Sequence, residues 1–307
     1  MQVNLHETWH IRTVEIPSRL VLAPMAGVSV QAFRRQGRRF GAGLVCSEMV
    51  SCAGLQHGNE RTLGYLRIAS DERPLAVQIF GSDPAVMAEA ARMVEDAGAD
   101  IVDINFGCPV KKVTKTGAGA TLLDDPDRAC RVVEAVASAV SVPVTVKLRR
   151  ELVSLVDVPV VASGDIVSRA QAQAVLATTR AAAVMVGRAA QGNPWALREI
   201  LEGDRPEPSR EEVVAELILF MRETVRELGE HRATGFLKKF YGWYLGHGRF
   251  PRAFKAELTQ LPTIAEVESR LLAAAPGARF VLARLEETLP QGDEVLLDLP
   301  ISIYGGG

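Results

Sequence analysis

The chain has 307 residues, 48% of them apolar, which is enough core for one large α/β unit with a smaller appendage and excludes a disordered chain. Lys+Arg 35 against Asp+Glu 37 leave a formal net charge of −2, so a global basic field is excluded and any nucleic-acid surface has to be local. The four cysteines show no CxxC spacing, the five histidines do not cluster with them, and no apolar run is long enough to span a bilayer; no metal and no membrane partner are expected.

The start, "MQVNLHETWHIRTVEIP", lacks the basic and apolar regions of a signal peptide, which points to a cytoplasmic protein with free thiols. From residue 20 to about 190, short apolar runs alternate with helical stretches. The strand candidates are "LVLAPMA" (20–26), "GLVCSEM" (43–49), "PLAVQIFG" (74–81), "IVDINFG" (101–107), "VPVTVKLR" (142–149), "VPVVASGD" (158–165) and "AAVMVGR" (182–188). Runs so continuously apolar suit parallel strands covered on both faces. Asp83 before Pro84, Asp125 before Pro126, and Ser168 before an alanine-rich run mark helix starts. The pattern reads as a (β/α)8-type TIM barrel, with a doubly wound sheet as the alternative; in either fold the chemistry belongs at the strand C-termini.

At those ends stand Pro24, Met25 and Ala26; Glu48; Gln78; Asn105 and Cys108; Lys147; Ser163, Gly164 and Asp165; Gly187 and Arg188. Taken singly, each has a bland explanation as core filler or a satisfied strand-end polar group. Together they carry more. A lysine on "VTVKLR" needs an electron-rich partner, and "ASGD" followed by "VGR" supplies N–H groups and a guanidinium suited to a phosphate monoester. That set describes a flat phosphorylated cofactor better than a metal. Cys46 and Cys130 lie inside apolar patterns and are expected to pack as small hydrophobes.

Two prolines in "EGDRPEPSREEV" precede Ser209 and Glu212, a capping-box spacing, and from there the pattern is helical, with the same spacing at Thr263 and Glu266. This divides the chain into a barrel over 1–204, a helical domain over 205–285 and a tail over 286–307. Residues 231–256 hold six Lys or Arg, seven aromatics and no acid, whereas 199–230 carry ten acids. The aromatics at helical spacing read as core. Lys238, Lys239, Arg249 and Arg252 read as RNA contacts, and Arg34, Arg35, Arg38 and Arg39 as an extension of the same track.

The stretches "LAPMAGVSVQAFR", "SEMV", "VQIFGSDP", "DINFGCPVKKVTKTGAGATLL", "VTVKLR", "ASGDI" and "VMVGRAAQGNPW" resemble, in order, the flavin-dependent tRNA-dihydrouridine synthases of bacterial type, to about residue 275. The resemblance implies FMN as cofactor, NADPH as hydride donor and tRNA as partner, with a monomer as the expected state. It implies that Pro24, Met25, Ala26, Gln78, Lys147, Ser163, Gly164, Asp165, Gly187 and Arg188 bind FMN. Glu48 and Asn105 would meet the uracil, Lys111 and Lys112 the RNA phosphates, and Cys108 would be the general acid at C5. A free thiol, with a reference pKa of about 8.5, is protonated at neutral pH and able to donate.

One feature departs from that family. Lys147 and Asp165 are only 18 positions apart, and the chain has no histidine between His57 and His231. The family places a further helix, strand and helix there, and parallel strands need a crossover of about a dozen residues or more. The segment around 150–158 is therefore abnormally short, and the barrel is expected to lack one βα unit. A catalytically impaired relative that still binds tRNA, or a barrel flavoenzyme acting on a free pyrimidine, are the alternatives.

Overall fold

The computed structural model describes residues 3–148 and 158–289; the short link and the tail beyond 289 lie outside the described residues. The strands are β1 Trp9–Ile11, β2 Val14–Ile16, β3 Leu20–Leu22, β4 Leu44–Cys46, β5 Val50–Ser51, β6 Leu75–Phe80, β7 Ile101–Asn105, β8 Val144–Lys147, β9 Val161–Ser163 and β10 Ala183–Val186. β1 and β2 form an antiparallel hairpin. The others build one parallel sheet in the order β8-β7-β6-β4-β3-β10-β9, with β5 beside β6. All seven strands expected from the sequence are present and in order.

The sheet curls without closing. β8 and β9 are its two outer edges, and among the described residues no strand joins them. Every residue of β8 is half-buried and Ser163 on β9 is exposed, whereas β3, β4 and β7 are buried throughout. The fold is thus a parallel half-barrel short of closure. Its concave face is filled at the bottom by Val21, Leu44, Cys46, Ala76, Ile101 and Ala183, over which the hairpin lays Trp9 and Ile16. Cys46 is enclosed there, and burial pushes its thiol far above the ordinary range.

Helices α1 Gln31–Arg39, α2 Cys52–Gln56, α3 Glu60–Leu63, α4 Pro84–Asp96, α5 Lys111–Thr114, α6 Pro126–Ala139, α7 Arg169–Thr179 and α8 Trp195–Glu202 follow the strands. The anticipated caps are in place: Asp83 accepts from the N–H groups of Ala85 and Val86, Asp125 from Arg128, and Ser168 from Gln171. Beyond them come α9 Arg210–Leu228, α10 Glu230–His247, α11 Arg252–Leu258, α12 Ile264–Ala274 and α13 Ala278–Thr288. Ser209 and Glu212 exchange both hydrogen bonds of a capping box at the start of α9.

The helical layer is bolted to the half-barrel through α1, and this corrects one expectation. Arg34 pairs with Glu72 at 2.6 Å with both side chains buried, Arg35 pairs with Asp71 at 2.8 Å and Glu223 at 3.3 Å, and Arg39 pairs with Glu216 at 2.5 Å. Arg38 Nη1 donates to the carbonyls of Ala42 and Gly43. Arg34, Arg35 and Arg39 spend their charge on the acids of α9 and the 70–72 turn and Arg38 is held by backbone carbonyls, so the four do not form a free basic track. Gln36 completes the seam, donating to Glu216 at 2.7 Å and accepting from the Tyr244 hydroxyl at 2.6 Å. Cys130, expected to be packed, is exposed on α6, because an apolar neighbourhood in sequence does not fix which helix face a residue takes.

The loop after β10 meets α10 backbone to backbone at Gly192. A Cβ there would stand 2.7 Å from the Tyr244 nitrogen and closer still to the Trp243 Cβ. Gly192 and Gly58 share φ +63°, but an added Cβ at Gly58 meets nothing within 4 Å. Gly58→Ala is therefore expected to cost about 1 kcal/mol in backbone strain alone, and Gly192→Ala about 2–4 kcal/mol, read from urea unfolding midpoints. Equal losses would show that the close approach contributes nothing.

Candidate active site

Side chains two apart on a strand share a face, and the sheet register carries that face from strand to strand. Gln78 pairs with Asp103, Asp103 with Thr145, Asn105 with Lys147, and Met185 with Ser163. All of these lie on the concave face, above the apolar plug, at the C-terminal end of the sheet. The structure thereby brings Gln78, Asn105, Lys147 and Ser163 to one mouth.

At its centre runs a chain of buried hydrogen bonds across β6, β7 and β8. The Thr145 hydroxyl donates to Asp103 Oδ1 at 2.6 Å, and Gln78 Nε2 donates to Asp103 Oδ2 at 2.5 Å. Asn105 Nδ2 donates to Gln78 Oε1 at 2.7 Å, and Asn105 Oδ1 accepts the backbone N–H groups of Gly107 at 3.1 Å and Cys108 at 2.9 Å. Burial pushes the Asp103 carboxyl above its ordinary range, opposed by the hydrogen bonds from Thr145 and Gln78 and by the nearby Lys147 ammonium. Asp103 and Thr145 were not among the residues expected from the sequence. Their signal is the alternation in "IVDIN", which puts a carboxylate on the same face as Asn105.

Cys108 follows β7 in a half-exposed turn and is unbridged. The segment after it doubles back: the Ala120 N–H donates to the Cys108 carbonyl at 3.0 Å, and Gly119, at φ +65°, passes so close that a Cβ would stand 2.6 Å from that oxygen. Only glycine permits this approach. Between them α5 leaves Lys111 and Lys112 exposed beside the mouth.

The loop after β3 is clamped from two sides. Glu48 Oε2 accepts the Gly27 N–H at 2.6 Å, and Lys239 of α10 donates to the Gly27 carbonyl while its ammonium rests 4.4 Å from the Phe236 ring. Burial raises Glu48 and lowers Lys239, each partly offset by the other's charge. Both were expected to face substrate; here both hold the turn that carries Pro24, Met25 and Ala26. Met25 Sδ in turn receives the Gln191 amide at 3.3 Å and lies near Gly187.

At the far side, Gly164 and Asp165 are exposed beside Ser163, and a Cβ on Gly164 would meet nothing within 4 Å. Asp165 holds φ +40°, sparsely populated for a residue with a side chain, and pairs with the exposed Arg188. Of the remaining expected residues, Lys238 and Arg252 are exposed on α10 and α11, and Arg249 pairs at the surface with Glu207 at 2.6 Å.

The sequence profile described as "Dihydrouridine synthase (Dus)" matches residues 21–153 and 150–278. The tRNA-dihydrouridine synthase B of Pseudomonas aeruginosa is 36% identical over 297 positions, covering 80% of this chain and 89% of its own length. That of Shewanella oneidensis is 35% identical over 305 positions, covering 82% and 94%. Since 80% and 82% of 307 residues fall well short of 297 and 305, about fifty positions in each alignment have no counterpart in this chain. The two profile segments meet at the short link. Among solved structures, histamine dehydrogenase from Rhizobium sp. 4-9 superposes with TM-score 0.53 at 14% identity, covering 71% of this chain and 47% of that one, a likeness of fold.

A carboxyl raised in the folded state binds its proton more tightly there than in the unfolded chain, so it costs stability as pH rises through the interval between the two pKa values. Glu48 is such a group. Relative to wild type, Glu48→Gln should therefore gain stability as pH climbs from about 4 to 7 in urea titrations. A difference that is flat or falls with pH would show that the folded state does not raise Glu48.

Proposed function

The chain belongs to the dihydrouridine synthase family, and on that premise we propose that it reduces the C5–C6 double bond of uridines in tRNA, with FMN and NADPH as redox partners and Cys108 as general acid. The single observation that carries this reading is the ordered set Gln78, Asn105, Cys108 and Lys147 around one mouth, beside a clamped Met25 turn.

The donor set fits FMN. Gln78 is fully buried, and its second N–H has no partner among the described residues, so an acceptor such as a ring carbonyl is needed there. Lys147 suits an electron-rich edge of the ring. Ser163, Gly164 and Arg188 suit the phosphate, for which Arg188 would exchange its exposed pairing with Asp165. Pro24, Met25, Ala26 and Gly187 would lie along the ring. FMN held there, reduced by NADPH, would supply hydride chemistry at C6 of the base.

The chain's own part is positioning and proton transfer. Asn105 fixes the backbone that presents Cys108, whose thiol gives its proton to C5; the thiolate then takes one back from water. Lys111 and Lys112, with Lys238 and Arg252, would neutralise RNA phosphates, and Arg249 would join them by leaving Glu207. Lys239 and Glu48 would act on the substrate through the Gly27 turn they hold.

Purified protein should be yellow. Cys108→Ala should leave reduction of the flavin by NADPH intact and slow dihydrouridine formation by about 10²–10⁴-fold, the usual worth of a general acid. Wild-type rates in that variant would remove Cys108 from the mechanism, and a protein that stays colourless with added FMN would reject the cofactor.

A further inference from the structure

The hydrogen-bond chain at the mouth has two ends that tolerate only one sense each. At one end the backbone N–H groups of Gly107 and Cys108 can only donate, so Asn105 must turn its oxygen to them and its amino group to Gln78. At the other end the carboxylate of Asp103, held by the Thr145 hydroxyl, can only accept, so Gln78 must turn its amino group to it. The amide sense of Gln78 is therefore determined twice over, and both determinations agree. With that sense, the donor Gln78 has left is the second N–H of its amino group, while its oxygen is turned to Asn105.

We infer that Asp103 is a positioning residue for the ligand of this site: it fixes the sense of the Gln78 amide, so that the mouth presents a donor, and it acts on the ligand only through Gln78. Asp103 itself is enclosed, with its two oxygens engaged by Thr145 and Gln78. A merely structural carboxylate would support β7 whatever stands at position 78. A positioning one has no effect on the ligand once Gln78 is gone. The inference rests on the reading that FMN occupies the mouth.

The test is a double-mutant cycle on the full-length protein, stripped of flavin and titrated with FMN by fluorescence quenching, with uridine reduction on unmodified tRNA measured alongside. Gln78→Leu and Asp103→Leu are each expected to weaken FMN about tenfold, a usual consequence of leaving a buried polar partner unmatched, and the double variant no more than the worse single one. Asp103→Asn keeps an oxygen for Gln78 and can turn its amino group to the Thr145 hydroxyl. It should recover most of the loss seen with leucine; if the leucine variant does not fold, Asp103→Ala takes its place in the cycle. Losses that multiply in the double variant, or wild-type FMN affinity in Asp103→Leu, overturn the inference. If the wild type itself neither binds FMN nor reduces uridine, the functional reading fails first and the inference falls with it.

Discussion

The mouth of this half-barrel depends on one constraint: a buried amide chain must begin at donors and end at acceptors. Three adjacent strands contribute to it, and its two termini are a turn backbone that can only donate and a carboxylate that can only accept. The donors and acceptors along it match only if all of the side chains take one arrangement. The Cys108 turn is thus set by Asn105 at the end of its own strand, which is held in turn by Gln78 on the neighbouring strand.

The second organising force is the separation of charge along the chain. The acids of 199–230 are split between two uses, several standing exposed and others turned inward. Glu216 and Glu223 of α9 are drawn into the seam with α1, where arginines and a glutamine meet them under cover. Breaking such a buried pair leaves an uncompensated charge, which is why this seam holds the helical layer in register. Among the described residues Lys111, Lys112, Lys238 and Arg252 form no ion pair, whereas Arg249, between α10 and α11, pairs at the surface with Glu207.

The strands and helix starts were legible because their signals are local: apolar runs ended by small or polar residues, and Asp or Ser one position ahead of a helix. The hairpin of β1 and β2 was not, since three-residue strands leave no periodicity to count. Arg34 to Arg39 misled for a related reason. A run of cations without acids in sequence looks solvent-facing until folding brings Glu72, Asp71 and Glu216 against it. Lys239 and Glu48 likewise have partners 212 and 21 positions away through Gly27, a closeness that only the fold creates. Asp103 was within reach of the alternation in its strand but was overshadowed by Asn105 and Cys108 beyond it.

The sheet's open edges, β8 and β9, flank the short link and carry Lys147 and Ser163 at the same mouth as Cys108. What this mouth is for turns on whether both a hydride and a proton reach a base there. The most direct measurement is anaerobic: reduce the purified protein with NADPH, add unmodified tRNA, and follow the yellow band together with the mass of the RNA. Recovery of the oxidised band in step with a gain of two hydrogens per modified uridine is predicted. A band that stays bleached while the tRNA mass is unchanged would contradict the account.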